Sequence, residues 1–336
     1  MIACFLRGAV LISETEFSYL QIRKNLDFNV TLGFILVRMN ERSFACREQV
    51  IDKQSTLNAY PGVIGQEQPG IIDSLLHPLT ILIRQVLTRA GRMELNLMLI
   101  DDQENIMQAL DAGIVFHSLY YSGGESFSSD LIRKLPANIR IYEIMKRTCK
   151  KLFENDKIVR FFAIAHTPAT TGLESLLDIQ RDIVVLEDLT ISGNIGAIVR
   201  TCLAFGAGAI VLLNAEPVDV YDRRIIRASR GYVFSMPVVT ATTEEFISFC
   251  NDNSLSIVAM TIRAERLIQE AATVSAPLAI VFGSERGGSS QRLLDAATLH
   301  VQIPIHPRVE SLNVSTAAGI VLYNRLWFNQ PRTESE

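Results

Sequence analysis

Three short segments in the second half of the chain bring chemically capable side chains together at close spacing. The first is Asn194-Ile195-Gly196-Ala197-Ile198-Val199-Arg200, with Arg200 six residues past Asn194. The second is Val281-Phe282-Gly283-Ser284-Glu285-Arg286-Gly287-Gly288, and the third runs from Ile303-Pro304-Ile305 to Ser311-Leu312-Asn313-Val314-Ser315. Asn194 supplies both a donor and an acceptor, and Arg200 a planar fork of donors that holds its proton too tightly to be a good base. Glu285 is either a working carboxylate or a simple cap in its glycine loop. A serine before a helix is very often only an N-cap, so Ser311 reads as cap and site residue together, with Asn313 in the first turn as the stronger candidate for chemistry. His306, between two prolines, has no base-and-nucleophile pair around it. A glycine pair after a strand is commonly a plain turn. Three such segments in this order, each following or ending an apolar strand, form a specific pattern.

The elements that must position these loops are legible as apolar runs. Asp182–Leu186, Ala209–Leu213, Ser256–Met260, Leu278–Phe282 and His300–Ile303 read as strands, with helices between them that include Asn194–Phe205 and Leu312–Phe328. This predicts a mostly parallel sheet with helices on both faces, in which ligands gather at the carboxyl ends of the strands. Upstream, Ile71–Gly91 reads as helix, Glu94–Ile100 as strand, Glu104–Ala112 as helix, and Gly113–Tyr120 and Ile139–Ile144 as strands. This alternation predicts a first α/β domain. The expected organisation is an extension over 1–70, an α/β domain over 71–175 and a second over 176–330.

Composition narrows the class. With 336 residues, 48% hydrophobic and 20% charged, the chain suits two globular domains rather than a disordered or fibrous protein. A formal charge of −4 argues against indiscriminate coating of nucleic acid. One basic patch stands against it: nine Lys or Arg lie between residues 131 and 160, including Lys146, Arg147 and Lys150, against three acids. It is either a solvated helix face or a phosphate-tracking surface. Five cysteines without a C-x-x-C pair indicate neither a disulfide framework nor a zinc site, so no metal is expected and a reducing cytoplasm fits. Arg7 interrupts the apolar start and acids follow it, so no signal peptide is expected, and no apolar run reaches the roughly 20 residues of a membrane span.

Taken together, the three loops resemble the SPOUT superfamily of RNA methyltransferases, in its ribose-methylating SpoU/TrmH branch: N-x-G-x-x-x-R, then G-x-E-x-x-G, then S-L-N-V-S before the final helix. The resemblance covers about residues 180–330. The segment Asp222-Arg223-Arg224-Ile225-Ile226-Arg227-Ala228-Ser229-Arg230-Gly231-Tyr232-Val233-Phe234 and on to Val239 is similar to the thiostrepton- and nosiheptide-resistance methyltransferases. More loosely, residues from about Ile71 resemble that group's ribosomal-protein-like RNA-binding domain. One departure is the stretch Ile305-His306-Pro307-Arg308-Val309, where that group usually follows Ile-Pro with methionine.

The resemblance implies a SPOUT-type α/β domain with a C-terminal trefoil knot, preceded by a small α/β RNA-binding domain. It implies S-adenosylmethionine as cofactor, held by Met260, Gly283, Ile303 and Leu312, with glycine allowing close backbone approach. The implied catalytic set is Asn194, Arg200, Glu285, Ser311 and Asn313, with Arg200 orienting a ribose 2′-hydroxyl and stabilising its alkoxide. Arg230 falls at a position near substrate or cofactor, and Arg223, Arg224, Arg227 and Arg230 are expected to form one cationic face. The implied reaction is 2′-O-methylation of an adenosine in the thiostrepton-binding loop of 23S rRNA by a homodimer, conferring antibiotic resistance. Alternatives are the same reaction on transfer RNA or another ribosomal site, and an RNA-binding factor with an inactive methyltransferase fold.

Overall fold

Strands covered on both faces have to be aliphatic along their whole length, and this is how the runs between residues 182 and 302 fold. A computed structural model describes residues 3–4, 11–12, 70–154, 159–213, 218–284 and 287–329. The chain divides into two compact units, Met1–Gln66 and Glu67–Glu336. In the first, β1 (Ala3–Cys4) and β2 (Leu11–Ile12) pair antiparallel.

The second unit opens with α1 (Pro78–Leu87), α2 (Arg89–Leu95), β3 (Leu97–Asp101), α3 (Gln103–Asp111), β4 (Phe116–Ser122), α4 (Ser129–Lys134), β5 (Arg140–Ile144), α5 (Lys146–Leu152) and β6 (Phe161–His166). Its four-stranded sheet has the order β3-β6-β4-β5, antiparallel around β6 and parallel between β4 and β5. The single helix expected over Ile71–Gly91 is not formed. Pro78 disfavours helical geometry in the residue before it, so α1 starts there, with the His77 ring accepting the Leu79 N–H at 3.2 Å. A second break comes at extended Thr88, whose hydroxyl accepts the Gly91 N–H at 3.1 Å. Ahead of both, Ile72 pairs with the end of β5: its N–H donates to Glu143 O at 2.9 Å and its carbonyl accepts from Met145 N–H at 2.8 Å.

The chain then forms β7 (Ile183–Glu187), α6 (Ser192–Ala204), β8 (Ala209–Leu213), α7 (Arg223–Ala228), β9 (Val238–Ala241), α8 (Thr243–Asp252), β10 (Ser256–Met260), β11 (Arg266–Leu267), α9 (Ile268–Ala272), β12 (Leu278–Phe282), α10 (Gln291–Ala296), β13 (Leu299–Gln302) and α11 (Val314–Asn329). These strands make one sheet in the order β11-β13-β10-β12-β7-β8-β9, parallel at every pairing. Five of the seven strands are the expected apolar runs. The short outer strands β9 and β11 are not, because they are only partly covered and their residues are less uniformly apolar.

Two charged clusters fix the arrangement. At the amino edge of the large sheet, Arg325 of α11 is 4% exposed and pairs with Asp182 through Nε at 2.7 Å and Nη2 at 2.6 Å. Its remaining donors reach the carbonyls of Ala271 at 2.9 Å, Ala276 at 3.1 Å and Val274. Asp182 also accepts the Leu278 N–H at 2.9 Å, so one ion pair ties α11 to the starts of β7 and β12. Between the sheets, Asp101 at the end of β3 is 1% exposed and pairs with Arg223, at 2.5 Å, and Arg227 of α7. Arg92 adds bonds to Asp219 at 2.8 Å and Asp222 at 3.0 Å.

Candidate active site at the carboxyl edge of the parallel sheet

Helix α6 brings Asn194 to the carboxyl edge in its first turn. Its path depends on Gly196, where a Cβ would lie 2.5 Å from Ala228 Cβ and 2.8 Å from Ile225 O, so only glycine lets α7 pack this closely. Helix α11 starts at Val314, and its N-cap is Asn313 rather than Ser311. Asn313 Oδ1 accepts the Ser315 N–H at 2.9 Å and the Ser315 hydroxyl at 2.6 Å. Its amide still has donors to spare, and Nδ2 donates to Asn194 Oδ1 at 3.2 Å. Two helix N-termini are thereby joined through their asparagines, presenting partial positive charge at one spot. Ser311 stands exposed two residues earlier. Arg200 is exposed, and among the described residues its side chain makes no hydrogen bond or ion pair. Six helical residues set it roughly 9 Å along the axis from Asn194 and about 120° around it, so within this chain the two do not face one cleft from α6.

The residues expected to hold a cofactor come from adjacent strands. Met260 ends β10, Gly283 directly follows β12, and Ile303 directly follows β13; β10 lies between the other two, with Met260 in register with Val301 and Ala259 with Val281. All three therefore reach the same edge, and half-buried Leu312 precedes the Asn313 cap. The glycine loop folds back on itself: Ser284 and Gly288 exchange N–H···O bonds of 3.0 Å, and Gly287 N–H donates to the Ser284 hydroxyl at 3.1 Å. A Cβ on Gly283 would sit 2.0 Å from the Gly288 carbonyl carbon, and Gly288 takes φ +68°. Glu285 lies outside the described residues.

Glu187 is a residue the sequence reading passed over. It ends β7 beside the glycine loop, is 4% exposed, and accepts the Ser290 N–H at 2.7 Å, pinning the far end of that loop at the start of α10. The available signal was a single acid closing the otherwise aliphatic run Ile183–Leu186.

The profile of the SpoU rRNA Methylase family matches residues 182–323, and that of the thiostrepton-resistance methylase N terminus matches residues 69–179. A 23S rRNA (adenosine(1067)-2′-O)-methyltransferase of Streptomyces azureus is 35% identical over 258 residues, spanning 76% of this chain and 96% of its own. The enzyme of the same name from Streptomyces laurentii is 37% identical over 246 residues, 73% of this chain and 91% of its own. The chain belongs to the SpoU rRNA methylase family. Solved structures agree: an RNA 2′-O ribose methyltransferase superposes with TM-score 0.67 at 31% identity, over 76% of this chain and 98% of that one. An AdoMet-bound rRNA methyltransferase from Sinorhizobium meliloti gives TM-score 0.68 at 25% identity, over 77% and 98%.

For this SpoU-family chain, the arginine-rich segment around α7 needs correcting. It does not present one free cationic face, because Arg223 and Arg227 pair with Asp101, and Arg224 with Asp222 at 3.0 Å. Burial, together with the adjacent Asp101, also holds the Asp102 carboxyl above its usual range. Arg230 follows the helix at φ +54°, half exposed, with Nη1 3.2 Å from Glu104 of α3. The basic patch upstream is narrower than its residue count. Arg133, Lys134 and Arg160 pair with Asp130, Asp111 and Glu125. Helix α5 turns Thr148, Cys149 and Leu152 inward and leaves Lys146, Arg147, Lys150 and Lys151 in solvent.

Proposed function

We propose that the protein transfers a methyl group from S-adenosylmethionine to the 2′-hydroxyl of an adenosine in 23S rRNA. The observation that carries the reading is the meeting of Asn194 and Asn313 at the edge where Met260, Gly283 and Ile303 converge, with exposed Arg200 further along α6. That edge fits an adenosine cofactor: Gly283 lets the Gly288–Ser289 backbone fold tightly against the end of β12, and Ser289 Oγ is buried there without a hydrogen-bond partner among the described residues. Met260, Gly283, Ile303 and Leu312 would hold the cofactor, which supplies an electrophilic methyl on a sulfonium. Arg200 orients the ribose hydroxyl and stabilises negative charge as its proton leaves. Asn194 and Asn313 fix the hydroxyl's approach, Ser311 and Glu285 complete the site, and Arg230 contacts substrate or cofactor. Most of the acceleration would come from in-line positioning of two bound reactants.

Several features extend this reading. After β13 the chain returns as α11, which packs on α6 from the first half of the sheet, and this supports a trefoil knot around the cofactor. Residues 71–175 act as the RNA-binding domain, with Lys146, Arg147 and Lys150 on phosphates, and 176–330 as the methyltransferase; 1–70 is an extension. Ile320, Tyr323, Trp327 and Phe328 of α11 and Leu203 of α6 are exposed apolar side chains, which supports a homodimer through this face. Among the described residues no helix is long and apolar enough to cross a membrane, and a ribosomal RNA substrate places the enzyme in the cytoplasm. Methylation of the drug-binding loop would confer thiostrepton resistance. The test is incubation with labelled S-adenosylmethionine and 23S rRNA, followed by mapping: label on one adenosine ribose is expected, and label confined to transfer RNA, or none, contradicts it.

A further inference from the structure

At the end of the small sheet where β4 and β5 begin, three basic side chains meet. In β4, Phe116 pairs with Ala165 and Ser118 with Ile164, so His117 is the extra residue of a bulge. Bulges re-aim side chains. Arg140 is in register with Ser118, and His166 lies two residues along β6 from Ile164, so both share the face of Ser118. The charged groups acting on half-buried His117 are His166 and Arg140, with no carboxylate among them, and its imidazole is pushed down to about 4 by burial and these two neighbours. His117 Nδ1 is held 2.8 Å from Ser118 Oγ, which donates to the buried Tyr120 hydroxyl at 3.0 Å. With the Ser118 hydroxyl donating onward, Nδ1–H donates to it, which fixes the ring; Nε2 is then the acceptor nitrogen, with no partner among the described residues, and takes a proton only when an anion arrives to favour it. Arg140 Nη1 is buried and has no hydrogen-bond partner among them either, an arrangement that is costly unless a ligand or solvent answers it.

We propose that His117, Arg140 and His166 form an anion pocket that grips one backbone phosphate of the RNA substrate. The inference rests on the reading of the protein as an RNA-modifying enzyme, and adds a phosphate site at the opposite end of β5 from the exposed cations of α5. The guanidinium is the standing cation for a phosphodiester, and an anion bound beside it would favour protonation of the two imidazoles, which burial otherwise holds neutral; a single such grip adds affinity and register without reading sequence.

Fluorescence anisotropy of a labelled 23S rRNA transcript with the full chain tests this, across a salt series. For Arg140→Gln, RNA affinity should fall about three- to tenfold and the slope of log K against log salt by about one. S-adenosylmethionine affinity and melting temperature should stay at wild-type values. The paired His117→Gln, His166→Gln variant, which leaves the guanidinium in place, should weaken RNA less. Folded variants with unchanged affinity and slope overturn the pocket. So does a site that takes inorganic phosphate, seen as shifts of the His117 and His166 ring protons, yet shows no shift with RNA; that is a free-anion site. RNA binding is read apart from methyl transfer. A chain that binds RNA with this slope but methylates nothing sinks the reaction and leaves the pocket standing, whereas full methyl transfer with an unchanged slope in the variants removes the pocket alone.

Discussion

Two packed helices, α11 and α6, handle an arginine in opposite ways. At the amino edge Arg325 is buried, and its donors are taken up by Asp182 and three carbonyls. On α6 Arg200 is exposed and its side chain engages nothing among the described residues. The first geometry holds a fold together. The second leaves a rigidly mounted cation available for something that arrives from outside, which is what transition-state stabilisation requires. The same division runs through the other polar groups: Asp101 between Arg223 and Arg227 is structural, whereas Asn313 uses its acceptor on a helix cap and points a donor at Asn194.

The contrast can be broken experimentally, most forcefully at the closed edge. Replacing Arg325 by Met strands a largely buried carboxylate, and chemical denaturation should show a loss of about 3–5 kcal/mol. A loss below about 1 kcal/mol, the range of an exposed pair, would show that this edge is not the fixed one. Gly283→Ala at the open edge forces a Cβ into the Gly288 carbonyl, and should cost about 1–3 kcal/mol of stability while abolishing calorimetric cofactor binding. Retained cofactor affinity would move the binding site away from this loop. Asn313→Ala should remove about 1 kcal/mol with the cap and slow methyl transfer beyond what the stability change explains. Loss of stability with unchanged turnover makes Asn313 a cap only. Neutralising Lys146, Arg147 and Lys150 together should leave stability within about 0.5 kcal/mol and lower the RNA salt slope by about one for each phosphate left without its cation. An unchanged slope assigns α5 to a plain solvated face.

The open edge was more legible in the sequence than the closed one. Its glycines and asparagines sit next to long aliphatic runs, so the strands announce where the loops must be. The closed clusters depend on partners far apart in the chain: Asp101 lies 122 residues before Arg223, and Asp182 lies 143 before Arg325. Charges around α7 were therefore visible while their neutralisation was not, and the expected cationic face disappeared. Local competition explains other differences. Asn313 outcompetes Ser311 as cap because its carboxamide reaches Ser315 from the position adjoining the helix. Pro78 and extended Thr88 divide what periodicity alone reads as one long helix. Glu187 escaped notice because an acid at a strand end looks like a solvated terminus until Ser290 is seen donating to it.

The central claim is that Arg200 stands exposed on α6 because its partner is the reacting RNA. Arg200→Lys keeps the charge and loses the planar fork, so it separates charge from geometry. Calorimetry should give unchanged S-adenosylmethionine affinity, and single-turnover methylation of 23S rRNA should fall about 10²- to 10³-fold, the usual cost of losing one aligned donor to a developing oxyanion. Wild-type transfer by the lysine variant would remove Arg200 from the chemistry, and lost cofactor affinity would place it in the cofactor pocket instead.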